Sequence, residues 1–155
     1  MNNKTLVDLI GLLLIALIVV IGYKLSPLLL PKADLTLQPE AGCDLQRQSC
    51  GAVLPGGGRV ELSITPRPIP MVKPLKVEVS LLGARANRVD VDFAWTEMNM
   101  GLNRPALQAD GNGRFAGEAT LPVCITGAMA WQATVLVETE KERIAIPFRF
   151  ASGHG

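Results

Sequence analysis

The sequence predicts an all-β domain, an immunoglobulin-like or cupredoxin-like antiparallel β-sandwich, preceded by one N-terminal transmembrane helix. Two observations carry this prediction: an apolar run without charges near the N-terminus, and a two-residue alternation of apolar and polar side chains through the rest of the chain. The 155 residues suffice for one domain of ordinary size with a short anchor. We therefore expect an anchor in residues 1–24, a stem in 25–33 and a β-sandwich domain in 34–155.

The predicted anchor begins at Thr5, and no charged residue occurs between Leu9 and Tyr23. From Thr5 to Tyr23 an α-helix measures roughly 28 Å, close to the thickness of the hydrocarbon core of a bilayer. The prolines at positions 27 and 31 are expected to end the helix near Lys24. A cleaved signal peptide is the alternative interpretation. The run is long for a signal peptide and no small-residue cleavage site follows it, which favours an uncleaved anchor from Thr5 to Tyr23.

The domain that follows the helix is expected in the bacterial periplasm, on a single-pass inner-membrane protein. The positive charges at the two ends of the helix are nearly equal in number and do not decide the orientation. Cys43 and Cys50 are flanked by turn-forming residues and suit a small disulfide loop in an oxidising compartment. Reduced cysteines in a cytosolic domain are the alternative. Cys124 then has no partner in this pairing. It is interpreted as a buried small residue, as a further disulfide partner or as a thiolate ligand of a metal.

Five segments alternate apolar and polar residues and are predicted to be strands with one face in the core: 60–64, 75–81, 89–95, 131–137 and 144–150. The glycines at 56–58 precede the first of them. Residues 83–87, Asp110–Gly113 and Thr139–Glu142 are expected to be antiparallel connections, and Asp110–Gly113 is the strongest hairpin signal. The proline-rich segment Thr65–Pro70 is expected to be a kinked crossing or a sheet edge, because proline cannot donate to a strand ladder.

The charge balance excludes several classes of function. Lys and Arg number 15 and Asp and Glu number 14, so the chain has no basic excess for binding nucleic acid. The single histidine, His154, stands between two glycines and is expected in a solvated tail. No nucleophile elbow, phosphate-binding loop or paired metal-ligand motif occurs, so we do not expect an enzyme.

Three segments occur in an order that resembles the FixH and YtkA-like family of small bacterial proteins: Trp95–Gly101 with its Met-x-Met-Gly, Asp110–Gly117 with its Gly-x-Phe, and Gly127–Trp131. The resemblance covers roughly Pro74 to Phe150, and it departs from the family in the wider spacing of Gly127 and Trp131. It implies a periplasmic protein with one anchor, which takes part in the assembly or copper handling of haem-copper oxidases. The implied partners are such an oxidase or its assembly factors. A metal-free interaction module or accessory subunit of an envelope complex is the alternative.

Met98 and Met100 are two residues apart, so their thioethers point the same way if the segment is extended. Thioether and thiolate ligands select Cu(I). Candidate Cu(I) ligands are therefore Met98, Met100, Cys124 and Met129. The alternative is that the methionines fill the core around the two tryptophans. Asn103 and Arg104, beside this segment, either cap the loop or contact a protein partner.

Overall fold

The computed structural model describes residues 2–29, 33–97, 103–122 and 127–152. The chain divides into two compact units, Met1–Lys32 and Ala33–Gly155.

The first unit contains one helix, α1, from Asn3 to Leu29. Its stretch Asn3–Leu25 is long and apolar enough to cross a membrane, and none of it is buried within the protein. These properties fit a membrane anchor and a signal sequence alike. The prediction that the helix ends near Lys24 and gives way to an extended stem is wrong for 25–29. Pro27 removes one hydrogen bond and the helix continues past it, and α1 ends at Leu29, two residues before Pro31, because a proline disfavours helical conformation at the residue that precedes it.

The second unit is a β-sandwich of two stacked sheets. Within the part of the chain described, its strands are β1 (Leu35–Thr36), β2 (Cys50–Val53), β3 (Arg59–Thr65), β4 (Leu75–Leu82), β5 (Arg88–Trp95), β6 (Gln108–Ala109), β7 (Arg114–Ala119), β8 (Met129–Glu138) and β9 (Arg143–Ser152). One sheet has the order β1-β9-β8-β5, and the other has the order β2-β3-β4-β7-β6. All pairs are antiparallel except β1 with β9. The predicted fold class is confirmed.

The five segments predicted from alternation are β3, β4, β5, β8 and β9. Along β3 and β8 every second residue is buried, because successive side chains of a strand point to opposite faces of the sheet. The largest fully buried side chains are Trp131, Phe93 and Phe148, all from the four-stranded sheet. The core therefore lies between the two sheets, where the sequence pattern predicts it.

The predicted connections join the strands that they were expected to join, whereas the interpretation of the proline-rich segment is wrong. Asp110–Gly113 joins β6 to β7, and Thr139–Glu142 joins β8 to β9, both as hairpins. Residues 83–87 join β4 to β5, and these two strands lie in different sheets. A connection of five residues spans either a hairpin or the gap between two sheets, so its length does not determine the pairing. Thr65 ends β3, and residues 66–70 belong to the loop between the paired strands β3 and β4, so the segment Thr65–Pro70 is neither a crossing nor an edge.

The connections divide the sandwich into two ends. Short connections (54–58, 83–87, 110–113 and 139–142) lie at one end, which we call the hairpin end. Three longer connections (66–74, 96–107 and 120–128) begin at the opposite end, which we call the tryptophan end after Trp95 and Trp131. The domain itself begins at the hairpin end, where the backbone N–H of Asp34 donates to the carbonyl of Arg143 at 2.8 Å.

Candidate functional site

An aromatic row closes the core at the tryptophan end. Trp95 of β5 stands directly opposite Trp131 of β8, and Trp131 stands opposite Phe150 of β9. Trp131 is 2% exposed and Phe150 is 7% exposed, while Trp95 is partly exposed. The prediction that both tryptophans fill the core is therefore confirmed for Trp131, and Trp95 lies at the border of the core.

Buried polar atoms without partners accumulate at the same end. Within the described residues, four buried side-chain atoms have no hydrogen-bond partner: Arg67 Nε, Trp95 Nε1, Trp131 Nε1 and Ser152 Oγ. Arg67 belongs to the connection between β3 and β4, and Ser152 ends β9 opposite Met129. A buried donor that stays unpaired costs about 1–3 kcal/mol, so such groups in folded proteins usually meet water, an ion or a ligand. These donors mark the tryptophan end as the candidate functional site.

The candidate Cu(I) ligands fall into two groups. Met129 is 2% exposed and belongs to the hydrophobic core at the start of β8. Met98, Met100 and Cys124 lie outside the described residues, as does His154. Within the described ranges, no group of three or more His, Cys, Asp or Glu side chains is placed to hold a metal ion. Whether the methionines and Cys124 bind Cu(I) stays a prediction.

Both segments that contain these ligands join the described chain at the tryptophan end. Residues 98–102 follow the end of β5, and residues 123–126 precede the start of β8. The two strands are neighbours, and the backbone N–H of Thr96 donates to the carbonyl of Ala130 at 3.1 Å. The Met-x-Met-Gly segment and the Cys124 segment are therefore attached to neighbouring strand ends, those of β5 and β8.

Asn103 and Arg104 hold the connection after β5 against the sheet. The side-chain amide of Asn103 donates to the carbonyl of Thr120 at 3.1 Å, and its backbone carbonyl accepts from the N–H of Phe93 at 2.9 Å. The guanidinium of Arg104 lies 3.6 Å from the carboxylate of Asp92. These contacts show the capping role that the sequence left open. Contact of either residue with a protein partner stays a prediction.

Cys43 and Cys50 form the predicted disulfide, and we call the residues from Cys43 to Cys50 the disulfide loop. Leu45 in this loop is fully buried in the core. The side-chain carbonyl of Gln46 accepts from the N–H of Ile69 at 2.6 Å, and its amide nitrogen donates to the carbonyl of Ala151. Ile69 belongs to the connection between β3 and β4, whereas Ala151 belongs to β9. One glutamine side chain thus links the two sheets at the tryptophan end, and nothing in the sequence indicates this role.

An ion pair holds the chain where it enters the disulfide loop. The guanidinium of Arg59 contacts both carboxylate oxygens of Glu40, with Nη2 2.8 Å from Oε2. It lies across Gly51, where a Cβ atom would be 2.6 Å from Nη2, so a side chain at position 51 would displace the arginine. A cavity of about 260 Å³ lies beside this pair, and both cysteines line it together with Ser49 and Glu61.

Comparisons with known proteins do not place the chain in a family. No protein-family model matches it, and no curated protein is similar to it. A crystal structure of a DUF4785 family protein from Legionella pneumophila shares 18% sequence identity with it at a TM-score of 0.44. The match covers 62% of this chain and 28% of that chain, so this chain spans less than a third of that protein.

Proposed function

We propose that the protein is a membrane-anchored periplasmic accessory protein that assists the assembly or copper handling of a respiratory haem-copper oxidase. One observation carries the proposal: the two segments with soft ligands join the sandwich side by side at the end that holds the buried unpaired donors. In this proposal copper is a cargo, received and passed on by the tryptophan end.

The donor set suits this cargo. Met98, Met100 and Cys124 supply two thioethers and a thiolate. These soft ligands select Cu(I) over harder metal ions. Met129 lies under this end with a side chain that is 2% exposed. We assign Met129 to the hydrophobic core beneath this end and not to the copper ligands.

The proposal places α1 in the membrane as an uncleaved anchor and the sandwich in the periplasm. The exposed apolar stretch Asn3–Leu25 and the Cys43–Cys50 disulfide, which suits an oxidising compartment, support this placement. Alkaline phosphatase fused after Gly155 should be active in cells. Activity that appears only with a cytoplasmic reporter at the same position would contradict the orientation, and a mature protein that lacks α1 would contradict the anchor.

Copper binding is tested with the full-length protein in detergent micelles, titrated with Cu(I) in competition with a chromogenic chelator. The variant Met98→Leu/Met100→Leu keeps the side-chain volumes and removes both thioethers. We expect it to lose affinity by about tenfold or more, roughly 1.4 kcal/mol of binding free energy or more. Met129→Leu is the matched control, because it removes a thioether from the core and should leave the affinity unchanged.

The same variants separate the proposal from the metal-free alternative, which the burial of Met129 favours. Oxidase activity is measured in cells that produce each variant as the only copy. The copper proposal expects the double variant to lose both Cu(I) affinity and oxidase activity while its melting curve stays cooperative. Loss of oxidase activity without any Cu(I) binding by the parent protein would replace it with an interaction module. Normal activity from a folded double variant would contradict both.

A further inference from the structure

The disulfide loop is attached to the rest of the domain by few contacts. Its own backbone folds around Asp44, which accepts hydrogen bonds from the N–H groups of Gln46, Arg47 and Gln48, each at 3.0 Å. At its C-terminal end the Ser49 hydroxyl donates to the carboxylate of Glu61 in β3 at 2.6 Å, beside Cys50, which begins β2. The middle of the loop is held by the burial of Leu45 and by the two hydrogen bonds of the Gln46 side chain. The loop is therefore fixed to β2 and β3 at its Cys50 end, and its contacts with the tryptophan end are those of Leu45 and Gln46.

Those two residues contact both halves of the sandwich. Leu45 belongs to the same buried cluster as Ile69, and the amide of Gln46 joins Ile69 to Ala151 of β9. The loop thereby closes the tryptophan end between the two sheets. The ladders of the four-stranded sheet between β5, β8 and β9 contain no residue of the loop, and in the other sheet the loop contributes only Cys50, the first residue of β2.

We propose that the Cys43–Cys50 disulfide is a redox-operated clamp, which a dithiol reductant releases so that the tryptophan end opens while both sheets stay folded. This inference goes beyond the proposed function and does not require that the protein bind copper. When the disulfide is broken, the residues between the cysteines gain conformational freedom. The Cys50 end then stays fixed to β2 and β3, while Leu45 and the amide of Gln46 alone hold the loop against the tryptophan end, which favours local opening over global unfolding.

The exposure of the two cysteines indicates which sulfur the reductant attacks first in the thiol–disulfide exchange. Cys50 is 3% exposed and Cys43 is partly exposed, so the first thiolate of the dithiol attacks Sγ of Cys43. The bond between the two protein sulfurs breaks, and Cys50 leaves as a thiolate and takes up a proton. The second thiol of the reductant then displaces Cys43, which also becomes a thiol. The protein gains two electrons and two protons, and the dithiol becomes a disulfide.

The test is hydrogen exchange at the backbone amide of Ile69, which donates to Gln46, in the full-length protein in micelles with and without dithiothreitol. Reduction should speed this exchange by about tenfold or more. The amide of Leu81, which donates to Gly113 at 2.8 Å at the hairpin end, should not respond. The variant Cys43→Ser/Cys50→Ser should show fast exchange at Ile69 without reductant and no further response, which excludes an effect through Cys124.

Three results would overturn the clamp. Unchanged exchange at Ile69, after mass spectrometry has confirmed both free thiols, would mean that the loop stays in place without its disulfide. Loss of protection at Ile69 and Leu81 together would mean that the disulfide holds the whole domain. Slow exchange at Ile69 in oxidised Gln46→Ala would mean that Gln46 does not fasten the loop.

Discussion

The two ends of the sandwich are built in different ways. At the hairpin end, connections of four or five residues close on themselves: the Thr139 hydroxyl donates to the carbonyl of Glu142 at 2.9 Å, and the carboxylate of Asp110 accepts from the N–H of Asn112 at 2.9 Å. At the tryptophan end the connections are longer, and the four buried unpaired atoms of the described residues lie there.

The two ends differ in which residues determine their backbone conformation. A short turn takes its conformation from its own residues, so the conformation of the hairpin end is determined locally. The tryptophan end is held by contacts between distant parts of the chain, such as Gln46 with Ile69 and Ala151. Binding residues concentrate on loops that a rigid scaffold positions, and local rules of structure are most often violated at functional sites. This contrast is the reason for proposing the tryptophan end as the functional site.

The largest expected effect is at Leu45, which joins the tryptophan end to the core. Leu45→Ala should lower the free energy of unfolding by about 2–5 kcal/mol, because it leaves a cavity where a fully buried side chain packs. Urea unfolding followed by tryptophan fluorescence measures this loss. The matched control is Leu82→Ala at the hairpin end, where the side chain is 58% exposed and the change should stay within about 0.5 kcal/mol. Equal losses at the two positions would contradict the anchoring role of Leu45.

The second-largest expected effect is the loss of stability when a glycine of the Asp110–Gly113 turn at the hairpin end is replaced. Gly113 has a φ of +74°, and a Cβ atom there would be 2.9 Å from the carbonyl oxygen of Leu81. Gly111 has a φ of +88° with open space around it. Gly113→Ala should cost about 2–3 kcal/mol and Gly111→Ala about 1–2 kcal/mol, since both suffer the left-handed conformation and only the first meets the carbonyl. Thermal melts of the two variants give the order, and a reversed order would show that the turn adjusts.

The smallest expected effect is the loss of stability when a threonine is replaced by valine, compared between the two ends of the sandwich. The hydroxyl of Thr139 accepts from the N–H of Glu142 at 3.1 Å and donates to the carbonyl of the same residue. The hydroxyl of the exposed Thr96 donates to the carbonyl of Ala130 at 3.2 Å. Thr139→Val should therefore cost about 0.5–1.5 kcal/mol, and Thr96→Val clearly less. Both free energies come from the same urea titration. A larger loss at Thr96 would mean that the hairpin end does not depend on its turn hydrogen bonds.

The sequence predicts the elements that their own residues determine, and it does not predict those that depend on distant parts of the chain. The five long strands are predictable because alternation along seven or more residues marks a buried face. Four strands are missed: β1 and β6 have two residues each, and β2 and β7 do not alternate regularly between buried and exposed residues. The turns at Asp110 and Thr139 are readable because their own residues form them. The crossing at 83–87 is not, since strand pairing depends on residues far away in the chain.

The sequence predicts only part of the candidate site, because several of its contacts join residues that are far apart in the chain. The disulfide is predicted from the spacing and surroundings of Cys43 and Cys50. The opposition of Trp95 and Trp131 depends on the register of β5 with β8, which no local pattern specifies. The link through Gln46 depends on where two distant backbone groups come to lie. Gln46 and Gln48 both lie between the two cysteines, and no feature of the sequence distinguishes Gln46 from Gln48.

The most direct test of function at the tryptophan end uses the two tryptophans of the chain as probes. Each gives one indole N–H signal in a nitrogen–proton NMR spectrum of the full-length protein in micelles, and these are the buried nitrogens without partners. On addition of Cu(I), both indole signals should shift, while the amide signals of Asn112 and Lys141 at the hairpin end should stay in place. Shifts confined to the hairpin end, or no shift of either indole signal, would contradict the account.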